Sequence, residues 1–296
     1  MDAQSQLIEL AGLAVLRIHG ADAVSFLQGQ LSNDLTRLER EGALLAAYNN
    51  PQGRTIAIVR LIAAAPDELL AVLPRELASR VLERLRRVVL RAKVKILDES
   101  ARWQVRGRLG AATAASAKLP RIRLGGAPER WLELVELAPD AAAVLGAAAF
   151  AARDAWVLHD VAAGLAQVYA ATSEMFVAQM LNLDLIDAIS FNKGCYTGQE
   201  VIARAHYRGR VKRRLQRFLT LAPAVLAPGD ALQLADGRGA RVVETARHPD
   251  GRCEFLAVAA LAAPTVEAAA DADEESSGAR PRGIEAQPLP LPYSLP

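Results

Sequence analysis

The hydrophobic residues of this chain occur mostly in short runs bounded by glycine, proline and small polar residues, which is the pattern of β-strands joined by turns. Two apolar stretches between Leu44 and Ile62 flank the sequence Asn-Asn-Pro-Gln-Gly at 49–53, which predicts a hairpin. Adjacent glycines at 125 and 126 predict a second hairpin turn. Strands are predicted over 13–18, 68–73, 94–97, 103–106, 121–124 and 130–137.

Helical periodicity is confined to fewer segments. Asp22 is in position to cap a short helix, and a proline begins a longer one that runs from 74 to about 90. Helices are also predicted over 139–152 and, after a break, over 156–163. After Gly209 apolar and polar residues alternate, and evenly spaced turns predict a small antiparallel β-barrel. These elements together indicate an α+β fold.

Composition restricts the class of protein. The chain has 296 residues, of which 52% are hydrophobic, so it can bury a substantial core. A chain of this length is expected to form two domains. A formal charge of +2 excludes a histone-like polycation, and two cysteines exclude a disulfide scaffold. With no signal-peptide pattern and no apolar run long enough to span a bilayer, we expect a cytoplasmic protein without membrane contact. Acidic, alanine-rich and Pro-Leu sequence predicts a disordered tail over 263–296.

Common catalytic motifs are missing from the sequence. No Walker loop, dinucleotide-binding glycine motif or nucleophile elbow occurs, and the four histidines have no partner at metal-ligand spacing. The usual hydrolase, kinase and dehydrogenase functions are therefore not supported.

The segment 191–209 stands apart because it combines a cysteine with features of a helix start. Thr197 and Glu200 have the spacing of a capping box, which predicts a helix from just after Thr197 to about Arg208, with Gly209 as its C-terminal glycine. Cys195 would then lie directly before a helix N-terminus and near Lys193, and both would lower the pKa of its thiol. We interpret Cys195 as a reactive cysteine. Cys253 lies in an apolar strand and is expected to be buried.

Seven of the residues from Arg204 to Arg217 are Lys or Arg, with no acid among them. Such a segment can bind an anionic ligand, a polyglutamate tail or an RNA backbone. It is equally compatible with a solvated strand face whose arginines bridge domains.

The octapeptide Lys193–Glu200 (KGCYTGQE) resembles the signature of the YgfZ-type folate-binding proteins, which assist the synthesis and repair of iron–sulfur clusters. These proteins are related to the aminomethyltransferase, or T-protein, of the glycine cleavage system. Further matching segments are 20–34, 53–54, 179–183, 203–204 and 207–209.

The resemblance implies a three-part, ring-like architecture around a central channel. A discontinuous folate-binding domain would comprise 1–45 and 155–207, an inserted α+β domain 46–154, and the small β-barrel 208–262.

The resemblance also implies a site. Tetrahydrofolate or a derivative, including polyglutamylated forms, would bind in the channel, with Cys195 as the reactive thiol and Lys193 stabilising its thiolate. The implied folate contacts are Asn33, Asp34, Asn182, Gly194, Tyr196, Thr197, Gly198, Gln199, Glu200, Arg204, Tyr207 and Arg208. Iron–sulfur enzymes or assembly factors are the implied partners, and no stable metal is expected because clusters usually need about four thiolates.

Two departures from the aminomethyltransferases affect the expected activity. The strand after the glycine turn, 54–58, has no acid, and Ala162 stands where that branch has a glutamate. Aminomethyl transfer needs a proton donor or acceptor within reach, so we expect an accessory protein rather than an enzyme. The alternatives are a folate-dependent one-carbon transferase that uses Cys195 or Asp34, and an RNA-binding module that uses 204–217.

Overall fold

The computed structural model describes residues 6–138, 147–209, 211–261 and 281–296, which form three antiparallel or mixed β-sheets with helices packed between them. Strands β1 to β15 span Gln6–Glu9, Leu13–His19, Ala43–Asn49, Thr55–Ala65, Glu68–Pro74, Lys95–Asp98, Trp103–Leu109, Arg121–Leu124, Arg130–Glu136, Arg213–Thr220, Ala231–Leu234, Gly239–Arg247, Cys253–Ala260, Arg282–Ile284 and Ala286–Leu289. Helices α1 to α5 span Ala23–Gln28, Leu38–Glu41, Arg75–Arg87, Ala147–Ala162 and Gln199–Tyr207. The predicted α+β class is confirmed.

The first sheet has the strand order β3-β4-β5-β2-β6 and contains the predicted hairpin at 49–53. Its strand β4 is buried along most of its length because other elements cover both faces, so its sequence is mostly apolar rather than alternating, with Arg60 as an exception. Helix α3 lies on one face through Leu77, Val81 and Leu85, as its periodicity predicts. The opposite face of this sheet contributes to the interface with the second sheet.

The second sheet has the order β1-β7-β9-β8 and includes the predicted hairpin around Gly125 and Gly126. Trp156 of helix α4 is buried in one cluster with Val15 and Val72 of the first sheet and Leu132 of the second. Helix α4 continues without the predicted break before Trp156. The first part of the helix predicted over 139–152 lies outside the described residues.

The third sheet has the order β14-β11-β12-β13-β10-β15 and nearly closes into the predicted barrel, with Phe218 and Phe255 stacked inside it. The prediction of a disordered tail is wrong for residues 281–296, because β14 and β15 add to the two edges of this sheet. Pro288 is compatible with β15 because an edge strand needs hydrogen bonds on one side only. The remainder of that predicted tail, 263–280, lies outside the described residues.

The predicted domain boundary between 45 and 46 falls inside β3. A division at that point would separate residues of one strand whose partners all lie in β4. The first sheet instead runs through the boundary, and β1 crosses to pair with β7 of the second sheet. Backbone pairing of β3 and β1 therefore joins segments that the predicted boundary assigns to different domains.

Candidate functional site

The loop that contains Cys195 lies at the surface. Its thiol is free and exposed, whereas Cys253 is buried and its Sγ is 2.9 Å from the carbonyl oxygen of Ala224. The neighbouring Tyr196 is buried, which raises its pKa to about 12 and keeps the phenol protonated at neutral pH. The sequence-based distinction between an accessible and a structural cysteine is therefore confirmed for their exposure.

Lys193 has a different environment from the one expected. Its ammonium donates three hydrogen bonds, of 2.6, 2.7 and 2.8 Å, to the backbone carbonyl oxygens of Gln28, Leu31 and Asn33. These bonds use all three N–H donors and fasten the loop to the segment after α1. Burial lowers the pKa of Lys193 to about 8, an effect that the charge of Asp34 partly offsets. The ammonium thus anchors the loop instead of pairing with the Cys195 thiolate.

The helix after the loop begins later than the capping box predicts. Helix α5 starts at Gln199, its N-cap is Gly198, and the Thr197 side chain makes no capping hydrogen bond. Gly198 has φ +81°, and a Cβ there would lie 2.5 Å from the carbonyl oxygen of Asn50. Close contact with the hairpin turn at 49–53 therefore sets the helix start, and three residues separate Cys195 from the first helical residue. The prediction that Cys195 lies directly before the helix is therefore wrong.

Residues of α5 that were expected to contact folate are largely exposed. Glu200 forms a surface ion pair with Arg204 at 3.2 Å. Tyr207 is 66% exposed and packs edge-on against His206, whose ring stacks on Phe191 with a centroid separation of 3.7 Å. These residues form an aromatic surface beside the cysteine loop.

The basic segment 204–217 does not form one free cationic surface. Arg214 is buried and makes a bidentate ion pair with Asp184, with N–O distances of 2.8 and 2.9 Å. Arg217 binds Glu254 at 2.7 Å. Arg214 thus links barrel strand β10 to the segment that contains Asp184, as expected of a bridge between domains, whereas Arg217 pairs within the barrel, with β13.

A cavity of about 780 Å³ lies where the first and second sheets approach each other. One wall is the β3/β4 hairpin with Leu45 and Arg60, and a second is formed by β8 and Trp131 of β9. Residues 163–166, 186–187 and 292–293 complete the lining. The C-terminal Tyr293 is held there by donating a 2.9 Å hydrogen bond to the carbonyl oxygen of Gly164.

Three polar side chains of this cavity have buried nitrogen atoms without a hydrogen-bond partner among the described residues: Arg60 at Nε, Arg121 at Nη1 and Trp131 at Nε1. Arg60 is only 5% exposed. Buried donors are normally satisfied, so three unsatisfied ones around a single cavity distinguish this wall from an ordinary packed interior.

None of the residues expected to contact folate lines this cavity, although two of them support its wall. The side-chain amide of Asn33 donates 2.7 Å hydrogen bonds to the carbonyl oxygens of Leu45 and Asp187, both in the lining. The amide of Asn182 donates to the hydroxyl of Tyr293. Because Lys193 binds the carbonyl of Asn33, that asparagine connects the cysteine loop to the cavity wall.

The cavity residues themselves were missed by sequence reasoning. An arginine within the apolar run 55–62 was the available signal, because such a strand has no obvious polar partner for it. Asp34, also expected to contact folate, instead caps the short turn at 35–37 by accepting from Thr36.

The described residues provide neither a metal-binding cluster nor a membrane-spanning helix. They contain no group of three or more His, Cys, Asp or Glu side chains arranged to hold a metal ion. Within the same residues no helix is long and apolar enough to cross a membrane.

The fold is that of the aminomethyltransferase class. It superimposes on aminomethyltransferase T of the glycine cleavage system from Bartonella henselae with a TM-score of 0.67, over 87% of this chain and 78% of that protein. Their sequence identity is 16%, so this likeness defines the architecture alone.

Sequence comparison gives the family. The chain is 32% identical over 270 residues to the tRNA-modifying protein YgfZ of Enterobacter sp. strain 638, covering 83% of this chain and 82% of that protein. It is 30% identical to the protein of the same name from Cronobacter sakazakii, over 98% of this chain and 93% of the relative. No family model matches. The chain belongs to the YgfZ family, which confirms the resemblance seen in its octapeptide.

Proposed function

We propose that this protein binds tetrahydrofolate or a derivative in the cavity between its sheets and supports the synthesis or repair of iron–sulfur clusters, with Cys195 as its reactive thiol. The observation that carries the proposal is the cavity, which holds unsatisfied buried donors and connects through Asn33 to the Cys195 loop. Its volume of about 780 Å³ lies within the usual range for a small-molecule site.

The residues present fit a folate. Trp131 offers an aromatic face and an unsatisfied indole N–H, and the buried arginines offer donors for the acceptor atoms and carboxylates of such a ligand. The cavity also has apolar walls, including Ile62 and Leu165, against which a pteridine or benzoyl ring can pack.

An accessory role fits this site better than aminomethyl transfer. The strand after the glycine turn, in β4, presents threonine and aliphatic residues, so it supplies no carboxylate for proton transfer. The carboxylates that do line the cavity, Glu41 and Asp187, are both bound by Arg37, and the hydrogen bonds from Arg37 lower the pKa of Glu41 to about 2. Iron–sulfur enzymes that modify tRNA are suitable clients to assay, since the named relatives are tRNA-modifying proteins.

Cells lacking the endogenous protein provide the test of the cysteine. We expect wild type and Cys253→Ala to restore the activity of an iron–sulfur enzyme and the level of its tRNA modification, and Cys195→Ala to fail at equal protein abundance. Cys253→Ala is the matched control because its thiol is buried. Full restoration by Cys195→Ala would refute the reactive-thiol role.

Folate binding is tested separately by calorimetric titration of the purified protein with 5-formyltetrahydrofolate. Saturable binding that is weakened by Trp131→Ala supports the cavity, with Trp103→Ala as the control for loss of an indole outside the lining. Absence of saturable binding at millimolar ligand would refute the folate proposal.

A further inference from the structure

We infer that Arg60 binds a carboxylate of the ligand in the cavity, which orients the glutamate tail of a folate toward strand β4 and the Arg121–Trp131 pair. This inference rests on the proposed function and specifies how that ligand is recognised. It replaces the sequence-based expectation that the basic segment 204–217 receives a polyglutamate tail.

Arg60 is the first observation. Its side chain projects from the middle of β4, is 5% exposed and lines the cavity. No hydrogen bond or ion pair connects it to another described residue, and its Nε is both inaccessible and unpaired. Burying a charge without a partner is costly, so an unpaired guanidinium retained at a cavity wall indicates an anion that occupies the cavity in the functional state.

Arg121 and Trp131 supply the second observation. The guanidinium of Arg121 lies 4.2 Å from the ring centroid of Trp131, which fixes its plane by a cation–π contact. Its Nη1 and the indole Nε1 are buried and unpaired, and both side chains line the same cavity as Arg60. Three residues from two sheets therefore line one cavity and have side-chain donors without acceptors among the described residues.

The other charges of the cavity wall are already paired. Arg37 binds the carboxylates of Glu41 and Asp187, and Arg123 lies 3.5 Å from Glu129. The wall therefore has two cationic groups, Arg60 and Arg121, with no acidic partner among the described residues.

The donor set favours a carboxylate over the ring atoms of a folate. A guanidinium has N–H donors only, and a bidentate pair with a carboxylate compensates its charge as well as its hydrogen bonds. A neutral ring acceptor would leave that charge uncompensated in a buried place. The pterin amino group needs an acceptor, which neither arginine nor the indole offers.

The test compares ligands that differ in the tail. Wild type, Arg60→Met and Arg123→Met are titrated with 5-formyltetrahydrofolate, with its triglutamate and with a pteroate ligand, the N-methylamide of 5-formyltetrahydropteroate. This amide keeps the benzamide of the folate but lacks every carboxylate of the tail. Arg123→Met is the matched control because that arginine lines the cavity but is exposed and has a partner. Thermal unfolding without ligand checks that each variant is folded.

We expect wild type to bind the folate about 10- to 100-fold more tightly than the pteroate, which is the size of a charge-assisted bidentate pair. Arg60→Met should abolish this preference, leave pteroate binding unchanged and unfold at a temperature no lower than wild type, whereas Arg123→Met should resemble wild type. Equal binding of folate and pteroate by wild type, or a preference that survives in Arg60→Met, overturns the inference alone. A lower unfolding temperature for Arg60→Met without ligand would also overturn it, because it would reveal a structural partner.

Binding of none of the three ligands by wild type refutes the folate proposal and, with it, this inference. Arg60→Met could still bind the triglutamate more tightly than the monoglutamate. That result would assign the additional carboxylates to a different surface and would contradict the orientation of the glutamate tail toward β4.

Discussion

Glu244 offers a sharp test of how the barrel is joined to the rest of the protein. It is buried in β12 and accepts a 2.6 Å hydrogen bond from the hydroxyl of Tyr169, while the guanidinium of Arg153 lies 3.7 Å away. Burial raises the pKa of Glu244 from 4.5 to about 7 against the opposing effect of Arg153. The folded protein therefore holds a proton on this carboxyl group over a pH range in which the unfolded chain has lost it.

The contribution of Glu244 to the free energy of unfolding decreases as the pH rises. Because the folded-state pKa is the higher one, the contribution of Glu244 to stability is fully present below pH 4.5 and is lost as the pH rises to about 7. Between about pH 5 and pH 8 the loss amounts to roughly 2–3 kcal/mol for a shift of this size. Glu244→Gln removes the titration while retaining an oxygen that can accept from Tyr169.

Urea unfolding followed by tryptophan fluorescence measures this effect at the two pH values. The unfolding free energy of Glu244→Gln, relative to wild type, should rise by roughly 2–3 kcal/mol between about pH 5 and pH 8. Glu200→Gln is the control, because Glu200 is exposed and forms only a surface ion pair. A difference between Glu244→Gln and wild type that does not change with pH would refute the reasoning.

Three further outcomes are expected. Gly198→Ala should lower the unfolding free energy by about 1–3 kcal/mol, because φ is +81° and a Cβ would collide with backbone atoms. Gly194→Ala is the control and should change the unfolding free energy by less than about 0.5 kcal/mol, because the space around its Cβ is open. Equal losses in the two variants would contradict this prediction. A thiol reagent should modify only Cys195 in the native protein and Cys253 as well in denaturant, and rapid native modification of both would disprove their assigned burial. Asp184→Ala leaves a buried arginine unpaired and should cost about 3–5 kcal/mol in chemical denaturation, so a near-neutral result would show that the pair is solvated.

Local sequence was sufficient where the determining interactions are local. The hairpin at 49–53, the amphipathic helix α3 and the strands of the barrel between their evenly spaced turns each follow from patterns of a few adjacent residues. Their period and turn chemistry limit the conformations available, so these predictions needed no knowledge of distant partners. The octapeptide likewise indicated its family because its residues are contiguous.

Predictions failed where a distant segment changed a local preference. The capping box at Thr197 is overridden because Gly198 packs against the turn at 49–53, which moves the start of α5. The Pro-Leu sequence near the C-terminus lacks the features of a stable strand on its own, yet β15 forms because β10 offers an unpaired edge. Lys193 was assigned to the thiolate because the two are close in sequence, but three carbonyl groups more than 150 positions away bind it instead.

By itself, the sequence determined the α+β class, most secondary-structure elements, the family and the identity of the exposed cysteine, since each depends on contiguous residues. Only the tertiary structure decided which residues meet around the cavity. Arg60, Arg121, Trp131 and Tyr293 are far apart in the chain and ordinary in their local contexts, and their shared cavity exists because the first two sheets and the C-terminal segment pack around it. An unpaired buried charge is a property of the folded surroundings, and no local pattern encodes those surroundings.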